Sequence, residues 1–117
     1  MDFTTGQFDF PSHKGSGPQT QRLRISFDHR IAQASAVLTG YDASFANGDH
    51  NFGRLIVTLD TQIVNNSTTG PEVNVVAAFG LRDYSGNWDD AYVGKVRFVL
   101  ITVPEHRILP TAVLERI

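Results

Sequence analysis

The residues with the most chemical capacity in this chain stand close together, in Leu81-Arg82-Asp83-Tyr84-Ser85-Gly86-Asn87-Trp88-Asp89-Asp90. A turn between two strands needs only a few Gly, Asn or Asp residues. This one holds the only Trp of the chain, a Tyr, an Arg and three Asp. An Arg and carboxylates beside an aromatic ring are the parts of a carbohydrate site. Charged groups orient sugar hydroxyls, and the apolar face of a pyranose stacks on an indole.

The same residues admit other readings. Asp83, Asn87 and Asp89 alternate around Gly86 as a partial echo of a calcium loop, without the closing bidentate Glu of an EF-hand. They are weak metal candidates, and no cofactor is otherwise expected. A hydrolase would use two of Asp83, Asp89 and Asp90 as acid and base across a sugar bond, but carboxylates on one loop are hard to hold at the fixed separation this needs. The structural alternative is a long hairpin loop, closed by side-chain turns at Asp83 and Asn87, with Trp88 folded back as a lid.

Elsewhere chemistry is sparse. His13, His29, His50 and His106 stand in expected loops or strand ends, with no i, i+2 or i, i+4 metal spacing. No nucleophile elbow, metalloprotease, P-loop or dinucleotide motif occurs in a fitting context, so no enzyme is expected. Asn65-Asn66-Ser67-Thr68 contains two overlapping glycosylation sequons, read here as a polar hairpin turn.

Strands must position these residues, because period-two alternation recurs and helical periodicity is nearly absent. Leu23, Ile25 and Phe27 share one face of a strand. Leu55, Val57, Leu59, Thr61 and Ile63 share one face of the segment from Arg54 to Val64. Val73, Val75, Ala77, Phe79 and Leu81 do so between Glu72 and Arg82, as do Val96, Phe98 and Leu100 between Ala91 and Val103. Ile31 to Asp42 is read as a strand with Val37, Thr39 and Tyr41 on a common face. A short first strand falls at Gln7 to Phe10, giving about six strands with no helical crossover, the pattern of an antiparallel sandwich.

A length of 117 residues suits one domain. With no Cys, there is neither a disulfide nor a thiolate metal site. A net charge of −2 gives no reason to expect nucleic acid or an anionic membrane as partner. The start, MDFTTGQFDF, has no basic or apolar signal region, and no apolar run approaches a membrane span. The expectation is a soluble chain, cytoplasmic or exported by a non-classical route.

In the last strand, Val99, Ile101 and Val103 alternate with the inward set, so both faces are apolar toward its end. The outer face calls for a cover, either a short helix after Pro110 bearing Leu109, Val113, Leu114 and Ile117, or a neighbouring subunit.

The order of elements resembles the H-type lectin domain of snail agglutinins and discoidin C-terminal domains. The resemblance lies in Thr5-Gly6-Gln7-Phe8-Asp9, Ile25-Ser26-Phe27, Ala36-Val37-Leu38-Thr39-Gly40-Tyr41-Asp42 and Phe52-Gly53-Arg54-Leu55. It implies a domain over residues 1–103 with an extension over 104–117, and an all-β, six-stranded antiparallel β-sandwich. It further implies a homotrimer, or a multiple of one, that binds galactose or N-acetylgalactosamine glycans in clefts between subunits.

Residue by residue, the family's sugar-binding Arg falls on Arg54, a later aromatic near Trp88, and the partner-subunit loop near Gly15, Ser16 and Gly17, without the family's Asp. Arg82 and Asp83 stand where the family keeps an aromatic and a His. The expected carbohydrate-binding set is therefore Arg54, Arg82, Asp83 and Trp88, with Gly15, Ser16 and Gly17 from the neighbour's loop. The alternative is a structural or oligomerisation domain of a larger assembly.

Overall fold

The computed structural model describes residues 1–13, 17–48 and 51–105. Gly15 and Ser16 of the expected site, His50, His106 and the expected C-terminal helix lie outside the described residues. Among those described, the chain is all-β, with six strands and no helix: β1 (Asp2–His13), β2 (Gln19–Ser26), β3 (Ile31–Phe45), β4 (Phe52–Val64), β5 (Glu72–Asp83) and β6 (Tyr92–Pro104). Every pairing is antiparallel, in two three-stranded sheets ordered β1-β6-β3 and β2-β5-β4.

The central strands, β5 and β6, carry the core because alternation turns every second residue inward. Val73, Val75, Ala77, Phe79 and Leu81 of β5 are buried, as are Tyr92, Val96, Phe98 and Leu100 of β6. Phe8 and Phe10 of β1 join the same cluster. The rings of Phe10 and Phe79, which belong to different sheets, lie 5.1 Å apart, so both sheets contribute to one core. Each large side chain buried there contributes about 1.5–3 kcal/mol. Phe79→Ala would therefore cost about 3–5 kcal/mol.

The expected inward sets of β4, β5 and β6 are those found, but Leu23 of β2 stays 37% exposed, Val103 of the expected outer set of β6 is buried, and β3 requires a correction. Val37 pairs with Val99 on the outer side of its sheet, whereas Tyr41 pairs with buried Val96. The register slips by one residue between Leu38 and Gly40, and the extra residue inverts the alternation beyond it. Val37, Thr39 and Tyr41 therefore do not share one face. β1 is also longer than the expected Gln7 to Phe10 segment, since its pairing with β6 runs from Asp2 to His13.

Loops gather at two poles. At one, Ala46 N–H donates to the Ala91 carbonyl, Tyr84 N–H to the Asn51 carbonyl, and the Tyr92 hydroxyl to the Gly17 carbonyl. At the other, the Asn65 side chain accepts from Ile31 N–H at 2.9 Å and donates to the Ile31 carbonyl at 3.0 Å. Arg30 pairs there with Glu105 at 2.9 Å. The second pole closes the β4–β5 turn and leaves the first to the residues singled out by their chemistry.

Candidate functional site

Arg82 is the last outward-facing residue of β5, because Leu81 continues the buried series and the strand alternates. Directly across the sheet stands Arg54 of β4, in register with it. Like charges opposite one another in a sheet destabilise it, by about the 0.2–1 kcal/mol that a complementary pair would contribute. Arg54 is exposed and Arg82 half-buried. Among the described residues neither forms an ion pair, and the buried Arg82 Nε has no hydrogen-bond partner.

Trp88 returns to this arginine pair through the loop. Gly86 takes φ 91°, a left-handed conformation that Gly adopts without strain. Asp83 Oδ1 accepts from both the backbone N–H and the hydroxyl of Ser85, and Ser85 Oγ accepts from Asn87 N–H. These bonds wind the loop back, and the Arg82 guanidinium lies 5.7 Å from the centre of the Trp88 ring, within cation–π range. The indole meets Tyr92 edge-to-face at 6.2 Å. It also occupies the space over Gly80, where an added Cβ would fall 2.9 Å from the ring and 3.1 Å from the Pro18 Cα.

The loop is thus a closed turn and a lid as well as a display of functional groups. Of the expected sugar-binding residues, Arg54, Arg82, Asp83 and Trp88 are brought together, and Gly17 of the same chain joins them through the Tyr92 hydroxyl at 2.9 Å. Burial raises the phenol of Tyr92 above its usual 10.0, against smaller opposing contacts from Gln19. Two of the weak metal candidates, Asp83 and Asp89, come together with Asp90. Asp83, Asp89 and Asp90 bring carboxylate oxygens within 4.8 Å of one another, while Asn87 uses its backbone N–H inside the turn.

Sequence reasoning missed the supports of this site. Gly80 interrupts a run of side chains in β5, and a strand-interior Gly commonly marks a close approach of another group. Gly53 has a similar role, since a Cβ there would overlap the Asp83 carbonyl where the register slips between Phe52 and Arg54. Phe52 and Tyr84 are 65% and 74% exposed beside these elements and add aromatic surface to the pole. No family model, curated protein or solved structure matches the chain.

Proposed function

We propose that the protein is a non-catalytic carbohydrate-binding module, a β-sandwich of the H-type lectin kind with its sugar site at the pole of the β5–β6 loop. The observation that carries this reading is the set formed by Arg54, Arg82 and Trp88. Two guanidiniums stand in cross-strand register, one of them against an indole, with exposed aromatics beside them. Such a set offers directional donors for polar ligand atoms and flat apolar area for a ring. The order β1-β6-β3 over β2-β5-β4, with one shared core, supports the sandwich.

Self-association is the second part of the proposal. Phe3 and Val37 are 65% and 46% exposed on the outer side of the β1-β6-β3 sheet, and they flank the half-buried Ile101 and Val99. An apolar stripe of this kind suits a subunit contact, and the resemblance to H-type lectins supplies the trimer. A glycan array probed with and without calcium tests the whole reading. Binding without calcium supports the lectin; binding only with calcium moves the role to Asp83, Asp89 and Asp90. A blank array leaves the oligomerisation domain.

A further inference from the structure

We infer that the ligand of this pole is an anionic saccharide whose carboxylate or sulfate is received by Arg54 and Arg82; the inference deepens the carbohydrate reading and rests on it. Of the other described arginines, Arg22 is exposed with no ion pair among the described residues, and three are paired. Arg24 meets Glu72 at 3.0 Å, Arg30 meets Glu105 at 2.9 Å and Arg97 meets Asp42 at 3.2 Å. Arg54 and Arg82 stand directly opposite each other without a carboxylate on either among the described residues. Their next same-face neighbours, Ile56 and Gly80, carry no charge.

The acidic groups of the adjoining loop have other partners. Asp83 Oδ1 holds Ser85, Asp90 Oδ1 accepts from Asn47 Nδ2 at 3.4 Å, and the carboxylates of Asp83, Asp89 and Asp90 face one another. Neutral hydroxyls are best met by groups that donate and accept in alternation. A pair of guanidiniums donates only, and its planar forks match the paired oxygens of a carboxylate or sulfate. An anion between the two also removes the like-charge opposition that the free protein carries. Trp88 and the exposed Phe52 and Tyr84 would take the sugar ring, so that charge and stacking select together.

The test uses the full chain on an array of neutral glycans, glycans with uronic or sialic acid, and sulfated glycans, followed by titration of the best binder at low and high salt. The expected result is retention of anionic glycans only, with affinity falling at least about tenfold at high salt and by a similar factor in Arg54→Gln. Arg54→Lys keeps the charge but not the fork, and falls between them. Whether carboxylate or sulfate glycans are retained decides the source of the anion, and either supports the inference. Retention of neutral glycans as strong as that of their acidic counterparts overturns it and leaves the lectin reading standing. Retention of acidic glycans unchanged in both Arg54 variants, whose folding is checked by thermal melts, also overturns it. A blank array overturns both.

Discussion

Trp88 owes its place to a missing side chain. The indole rests where Gly80 has no Cβ, so Gly80→Ala should push the ring away from Arg82 without altering any charge. The expected cost is about 1–3 kcal/mol of stability, as for other overpacked sites. A shift in the fluorescence of this single Trp should accompany it; an unmoved spectrum would show that the ring does not depend on the slot. Trp88→Ala should weaken glycan binding by about 1–3 kcal/mol, and calorimetric titration measures it. Its half-buried contact with Tyr92 means that some stability is lost as well, so Trp88→Phe is the control. Tyr92 itself gives a pH signature. Its folded-state pKa is raised above 10.0, so its contribution to stability is complete below that value and is lost as pH rises through the raised one. As pH rises above 10.0, denaturation midpoints should fall in the parent chain and fall less in Tyr92→Phe. At neutral pH that variant should be about 0.5–1.5 kcal/mol less stable through loss of the bond to the Gly17 carbonyl.

Of the four register slips among the described strands, those at Leu38 to Gly40 and Phe52 to Arg54 bear on what could be read beforehand. In β4, β5 and β6 the alternation of Leu55 with Val57, Val73 with Val75 and Val96 with Phe98 states both the strand and the face turned to the core, since nothing interrupts the period at these residues. In β2 the alternation of Leu23 with Ile25 states the strand, but Leu23 stays exposed. In β3 the small residues around Ala34 and Ala36 give a weak signal, and the slip at Leu38 to Gly40 then inverts the face of Tyr41. A bulge depends on the partner strand, here on Arg97 over Gly40, and the local pattern does not reveal it. The site divides in the same way. Residue type marked out Arg82, Asp83 and Trp88, and the strand register placed Arg82 on the outer face. That Arg54 stands directly across from it follows from the regular pairing that runs from Val64 and Glu72 to Arg54 and Arg82, with a slip at Phe52 just beyond it. Gly53→Ala tests that slip, because its Cβ would collide with the backbone at Asp83 and Tyr84. The expected outcome is a loss of about 1–3 kcal/mol in urea unfolding, with glycan affinity reduced although both arginines remain.

At the scale of the molecule, the outer side of the β1-β6-β3 sheet makes the clearest demand. Phe3 and Val37 are exposed there, with the half-buried Val99 and Ile101 between them, the stripe on which the proposed self-association rests. Light scattering at micromolar concentration should find an oligomer, and Val99→Glu should dissociate it while far-ultraviolet circular dichroism stays that of a β-protein. A monomeric parent chain would show that the stripe is left bare. The alternation of Val99 and Ile101 announced this face, but the copy number is not written in any single residue. The two poles carry a different consequence. β1 begins and β6 ends at the pole opposite Trp88, as the pairing of Asp2 with Thr102 requires. A chain tethered to a surface through either strand end holds its arginine pole outward. Several such chains side by side would engage a dense layer of ligand together, so a contact too weak for one copy becomes slow to release through avidity, provided the spacing of tethers matches that of the ligands.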